Sequence, residues 1–209
     1  MKSDLPDLVI VGTGVAGLYA ALCAAAEADV LVLSKGPLLS SASYLAQGGV
    51  AAAVGADDDP RLHAEDTTRA GRGLCRPSAV SVLTEEASAR IVDLVDLGVS
   101  FDPDPGREGG HSRARVFHSG GAATGKEIAR VLAERVLAHP RIEVAEGERV
   151  LGLWMSEGRC AGVVTDRRAI PAGATMLATG GAAALWARTT NPPGAVGEGI
   201  AMEIGRAHV

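Results

Sequence analysis

An α/β fold, a doubly wound parallel sheet with a β-meander inserted, is what the sequence predicts, on three observations. Residues Asp7 to Lys35 read as strand, glycine turn, helix and strand. Residues Arg141 to Thr179 read as short strands separated by Gly-containing turns. Between them, helical periods alternate with glycine-rich loops. A chain of 209 residues with 47% hydrophobic content can bury a sizeable core. Glycine is the anomaly: 27 residues are roughly 13% of the chain, against an ordinary ~7%. Much of the backbone must therefore turn tightly or approach something closely.

Composition excludes several classes of function. Twenty Lys and Arg against 25 Asp and Glu give a net charge of −5, with no basic block, which argues against a nucleic-acid partner. The three cysteines, Cys23, Cys75 and Cys160, have neither a disulfide nor a metal-ligand spacing, and the five histidines are scattered. No metal is expected, and a reducing cytoplasm fits. Leu8 to Ala26 is a charge-free run of nineteen residues, the length of a membrane span, but three glycines at fixed spacing interrupt it. No membrane association is expected.

Those glycines, Gly12, Gly14 and Gly17, form G-x-G-x-x-G at the strand-to-helix turn. In that context Gly12 permits the turn, Gly14 lets backbone approach a pyrophosphate, and Gly17 lets helix pack on strand. The helix amino end then offers its N–H groups to phosphate. The ribose-binding carboxylate usual at the end of the second strand is replaced by Ser34 and then Lys35. Ser34 can hydrogen-bond a ribose hydroxyl and Lys35 can neutralise a phosphate, so by this element alone NADP rivals FAD.

Pro37 to Ala56 is too long and glycine-rich for a plain connection and reads as an ordered loop. It is either a ligand contact, through Ser40, Ser41, Ser43, Gln47, Gly48 and Gly49, or a surface excursion capped by serines. Two helical stretches follow. The second places Val80, Leu83, Ala87, Ile91, Leu94 and Val95 at three- and four-residue steps before Gly98. Phe101 to Gly125 concentrates proline, glycine and charge, and no regular element is expected there. Thr124 and Glu127 form a capping box opening a helix with Ile128, Val131 and Leu132 on one face. Within the loop, Glu108 is flanked by Arg107, Gly109 and Gly110, with His111 close behind. Such a carboxylate can orient a cationic substrate group or is simply solvated. His111 and His118 read no further than local hydrogen bonding. The run Arg141 to Gly147 is assigned to the β-meander, and Met176 to Thr179 to a buried strand with Gly180 and Gly181 at its carboxyl end, where backbone can meet a ligand. A helix is expected around Gly199 to Gly205.

Taken together, VIVGTGVAGL, VLSKGP, AQGGVAA, REGGH, the ATG before a helix, ATGG and TTNPPGAVGEGIAM occur in that order. This series resembles the L-aspartate oxidases, within the flavoprotein family of succinate dehydrogenase and fumarate reductase. The resemblance covers essentially the whole chain; AQGG and ATGG mark the family, VLSKGP and REGGH the aspartate oxidase branch. It implies a Rossmann-like FAD-binding domain with the isoalloxazine near AQGG. Flavin contacts are carried by matching motif onto Thr13, Gly14, Val15, Ala16, Lys35 and the segment Ala42, Ser43, Tyr44, Leu45, Ala46, Gln47, Gly48 and Gly49. The glycines Gly12 and Gly17, Ser34, and Thr179, Gly180 and Gly181 complete the expected cofactor site. The histidine that tethers FAD in succinate dehydrogenases corresponds to Ala42, so non-covalent FAD is implied. Glu108 matches the REGGH glutamate, whose charge would select an amino-dicarboxylate over a plain one. Where the family has Asp, this chain has Glu198 in its last motif and Ala122 before ATG.

The resemblance further implies oxidation of L-aspartate to iminoaspartate with oxygen or fumarate as acceptor. This is the first step toward quinolinate and NAD, with a hand-off to quinolinate synthase. The alternatives are a fumarate reductase or succinate dehydrogenase flavoprotein, or an inactive dinucleotide-binding fragment. Family members are more than twice as long, so residues 1–209 are read as an incomplete FAD-binding domain lacking the capping and carboxyl-terminal helical domains. By itself this stretch is expected to bind flavin without turnover.

Overall fold

The computed structural model describes residues 5–206. In chain order the elements are β1 (Leu8–Val11), α1 (Val15–Ala24), β2 (Val30–Ser34), α2 (Ala42–Leu45), β3 (Val50–Ala51), α3 (Pro60–Ala70), α4 (Pro77–Asp96) and β4 (Val116–Phe117). They continue with α5 (Thr124–Ala138), β5 (Ile142–Glu146), β6 (Val150–Ser156), β7 (Arg159–Thr165), β8 (Ala169–Pro171), β9 (Ala174–Leu177) and α6 (Glu198–Arg206). The chain divides into two compact units, one made of the residues up to Leu45 and from Ala129 onward, the other of Ala46–Ile128.

In the first unit a four-stranded parallel sheet has the order β5-β2-β1-β9. All five residues of β2 and the last three of β1 are buried, as a strand covered on both faces requires. One face meets α1, whose Leu18 and Ala21 are fully buried. On the other, Val9, Val11, Leu31 and Leu33 form one cluster with Val150, Val163 and Ile170 of the antiparallel sheet β6-β7-β8. The expected meander is thus a second layer over the sheet. One assignment is corrected: Arg141 to Gly147 does not join the meander, because β5 pairs in parallel with β2. Arg141 fixes that edge by donating from Nε to Asp29 and from Nη2 to the carbonyl of Glu27, at 3.0 and 2.7 Å. The final strand runs Ala174–Leu177, two residues earlier than expected.

In the second unit α3 and α4 pack together. Asp59 caps α3, accepting from the N–H groups of Arg61 and Leu62, with Pro60 in the first turn. The buried face of α4 is Val80, Thr84, Ala87, Ile91 and Leu94; Leu83 and Val95, expected inside, are exposed. Thr84 goes inward because its hydroxyl donates to the carbonyl of Val80, so no polar group is stranded. The loops expected from residue 37 and from residue 101 each contain short regular pieces: α2 and β3 in the first, β4 in the second. β4 pairs with β3. The Thr124 hydroxyl accepts the Ser119 N–H, and the Glu127 N–H donates to the carbonyl of Ala123. Ile128, Val131 and Leu132 are buried as expected.

The largest fully buried side chain described is Arg115. Its guanidinium grips Asp58 with two bonds of 2.8 and 2.7 Å and donates from Nη1 to Asp66 at 2.8 Å. Asp66 also accepts the N–H and the hydroxyl of Ser112, each at 2.7 Å. The Arg115 hydrogen bonds hold the Asp58 carboxyl below its ordinary range against the opposing effect of burial. Burial also pushes the Asp66 carboxyl up, but Ser112 and Arg115 outweigh it and the net shift is strongly down.

Removing the cation would leave Asp58 buried without its charged partner and Asp66 with Arg69 alone. Arg115→Met is expected to cost about 3–5 kcal/mol, measured by urea unfolding of the chain. Because the folded values of both carboxyls lie below the ordinary ones, their stabilisation is complete above the unfolded carboxyl range and is lost as pH falls through the folded values. Thermal midpoints followed by circular dichroism between about pH 5 and pH 2 should fall more steeply for the wild type than for Asp58→Asn/Asp66→Asn.

Candidate functional site

The carboxyl ends of β1, β2 and β9 open into a single pocket of about 500 Å³, where an open parallel sheet binds its ligands. Three strand ends form it: Val11–Gly14 after β1, Leu33–Gly36 after β2, and Ala178–Gly181 after β9. Ser40–Ser43, Glu148–Val150, Asn191–Ala195, Glu198 and Met202 complete the lining.

The first glycines act by close approach of backbone. Gly12 has φ +117°, and a Cβ there would stand 2.3 Å from the carbonyl oxygen of Ala178. At Gly17 a Cβ would stand 2.0 Å from the carbonyl oxygen of Gly12. Both are therefore consumed in seating α1 on the ends of β1 and β9, and Gly17 does not line the pocket. Gly14 is the N-cap of α1 and does line it. The N–H of Val15 donates to Ser43 Oγ at 3.2 Å, which ties the head of α1 to the Ser40–Ser43 wall. At Gly180 and Gly181 a Cβ would meet nothing within 4 Å, so bare backbone faces open space there. A helix N-terminus, two open glycines and a hydroxyl-rich wall suit a ligand with a diphosphate and sugars.

Polar groups at the rim are already paired. Ser34 is buried and shares a 3.2 Å hydrogen bond with Thr13 Oγ1. Lys35 donates to Glu198 and, at 2.6 Å, to the carbonyl of Gly194. Arg149 reaches the other Glu198 oxygen at 2.5 Å. Burial acts to raise the Glu198 carboxyl, but the bonded Lys35 and then Arg149 outweigh it and keep it below the usual range. Two cations therefore share one carboxylate, leaving net positive charge at the rim. Beneath it, Glu148 is buried and held ionised by Arg168, with Thr165 assisting.

Of the residues expected to contact a cofactor, the pocket gathers Gly12, Thr13, Gly14, Ser34, Lys35, Ala42, Ser43, Thr179, Gly180, Gly181 and Glu198. Val15, Ala16, Tyr44 and Leu45 lie in the same unit but do not line it. Ala46, Gln47, Gly48 and Gly49 open the second unit, which also carries Glu108. There Glu108 is 54% exposed, and its Oε1 meets His118 Nε2 at 2.5 Å. His63 is buried, with burial and then the Arg115 charge lowering its affinity for a proton, and its ring meets that of His111 edge-on at 5.2 Å. Sequence reasoning missed Arg149 altogether and left His118 without a role. Neither lies in a motif whose spacing names a ligand, and only their distant partners reveal them.

No helix among the described residues is long and apolar enough to cross a membrane, and none of their His, Cys, Asp and Glu side chains group as a metal site. Among curated proteins the chain is 41% identical to an L-aspartate oxidase of a Nostoc strain, covering 94% of this chain and 36% of that protein. It is 45% identical to an L-aspartate oxidase of Caulobacter vibrioides, covering 93% and 41%. The chain thus spans well under half the length of these relatives. Among solved structures, an E. coli quinol fumarate reductase FrdA aligns with a TM-score of 0.91 at 28% identity, over 98% of this chain and 37% of that one. The Mycobacterium smegmatis Sdh1 complex aligns at 0.90 with 28% identity, over 96% and 38%. The profile of the FAD binding domain family matches residues 7–207. That match makes the chain a member of the FAD binding domain family, with FAD as its cofactor.

Proposed function

We infer that the protein is an L-aspartate oxidase and that this chain supplies its FAD-binding part. The observation that carries the reading is identity of 41–45% to L-aspartate oxidases over 93–94% of the chain, against 28% to the fumarate reductase of nearly identical fold. The REGGH loop supports it with a half-exposed carboxylate, Glu108, for the substrate ammonium. A plain dicarboxylate has no group to use that charge.

Bound FAD supplies the two-electron acceptor that takes hydride from the substrate α-carbon, leaving iminoaspartate once the nitrogen loses a proton. The chain's own residues bind and orient. On this reading the diphosphate lies at the head of α1, against Gly12, Thr13, Gly14, Val15 and Ala16. Gly180 and Gly181 let backbone reach the cofactor, and Lys35 with Arg149 offsets its charge. Ala42, Ser43, Tyr44, Leu45, Ala46, Gln47, Gly48 and Gly49 carry the flavin segment, and with Ala42 in place of a tethering histidine the FAD is held without a covalent bond. Oxygen or fumarate would be the final electron acceptor. The product feeds quinolinate and then NAD synthesis in the cytoplasm, by hand-off to quinolinate synthase.

A side chain at Gly181 enters open space without touching the fold, so Gly181→Val should keep the thermal midpoint of the cofactor-free protein. The same change should raise the Kd for FAD at least about tenfold, measured by quenching of flavin fluorescence. In the full-length protein, Glu108→Gln is expected to raise KM for L-aspartate by about ten- to a hundredfold while the inhibition constant of succinate stays within about twofold. Turnover of succinate in place of aspartate would favour the succinate dehydrogenase and fumarate reductase reading.

A further inference from the structure

The geometry points to His118 as a positioning residue that sets the Glu108 carboxylate for an amino-bearing substrate, an inference that rests on the aspartate reading above. Glu108 sits on a loop with little to hold it. Gly109 and Gly110, which follow it, both adopt positive φ, and its side chain is more than half exposed. His118 is the opposite. It directly follows β4, whose pairing with β3 sets Val50 opposite Phe117. Its own carbonyl accepts the Asp102 N–H at 2.7 Å. Next to it, the Ser119 N–H donates to Thr124 Oγ1 and the Ser119 hydroxyl to the carbonyl of Ser100. The imidazole is only 21% exposed.

Two bare glycines bracket the pair. A Cβ on Gly49 would stand 2.5 Å from the Phe117 carbonyl oxygen and 3.0 Å from His118 Cε1. A Cβ on Gly106 would stand 2.8 Å from Glu108 Oε1 and 3.5 Å from His118 Nε2. The absence of side chains at both positions thus leaves room for imidazole and carboxylate to meet at 2.5 Å. A carboxylate can only accept, so His118 Nε2 carries the hydrogen and donates. That bond engages Oε1 and leaves Oε2 of the half-exposed side chain for a substrate cation. The second glycine of AQGG, matched to a flavin contact, has here a further task in making room for His118.

The test uses the full-length, FAD-loaded protein and four variants: His118→Leu, His118→Gln, Glu108→Gln and the Glu108→Gln/His118→Leu double. KM for L-aspartate and the inhibition constant of succinate, which lacks the ammonium, are measured for each, with flavin absorbance and thermal midpoint recorded in parallel. His118→Leu should raise the aspartate KM about tenfold and leave the succinate constant within about twofold. His118→Gln keeps an N–H donor and should restore the aspartate KM to within about threefold of wild type. The double variant should be no worse on aspartate than Glu108→Gln, because the histidine acts only through the carboxylate. If His118→Leu does not load FAD, His118→Phe, which keeps a ring in that place, takes the same measurements. Equal shifts of the aspartate and succinate constants, no shift at all, or additive losses in the double variant would overturn the role of His118. In each of those cases wild-type oxidation of aspartate leaves the parent reading intact, whereas wild-type protein that does not oxidise aspartate overturns both.

Discussion

Three stretches of backbone meet at the head of α1 with no side chain between them, and the rest of the first unit depends on that meeting. A Cβ on Gly17 would stand 2.0 Å from the carbonyl oxygen of Gly12, and one on Gly12 would stand 2.3 Å from that of Ala178. Neither contact can be relieved by turning a side chain, because the opposing atoms belong to the main chain. The approach seats α1 on the ends of β1 and β9 and points its N-terminus along the crevice. It also brings Gly14 and Ala178–Gly181 to the same pocket. The crevice is therefore shaped by the fold first and by individual side chains second.

Legibility followed the distance over which a signal acts. β1, α1 and β2 were readable because apolar run, glycine spacing and small-residue helix are contiguous and agree with one another. β5 was assigned to the wrong sheet because Ile142–Glu146 is followed by Gly147 and reads as one more short run in the series that continues with β6, and nothing local states that its neighbour is β2, more than a hundred residues earlier. Leu83 and Val95 were placed inside α4 because hydrophobicity alone was counted. In the structure Thr84 occupies the inner face, its hydroxyl satisfied within the helix. The short pieces α2, β3 and β4 are too brief for any period to show.

The site shows the same division. Gly14, Gly180 and Gly181, which line the pocket, were visible because glycine in a strand-to-helix context has few other uses. Charge partners were not. Lys35 was read as a phosphate ligand, but its bond to Glu198 spans 163 residues of sequence. Arg149 was not read at all, though it completes the same bridge. Glu198 spans two cations, one on each oxygen. The two cations of this rim are thus held in place by one shared carboxylate.

The buried ion network of the second unit is harder to justify by stability alone, since a well-packed apolar core often does as well as a buried ion pair. Its members are informative. Asp58 precedes α3, Asp66 lies within it, and Ser112 and Arg115 follow the REGGH loop directly. Asp66 therefore accepts from both Ser112 and Arg115, and the carboxyl-terminal base of that loop is tied to a helix. At the tip, the Glu108 carboxylate meets the His118 side chain and is otherwise more than half exposed. The loop thus has a rigid base and a lightly held tip. An apolar core would fill the same volume without specifying which way the loop leaves it. The hydrogen-bond geometry of Arg115 supplies that direction, which is a reason for retaining a charged cluster in a protein interior.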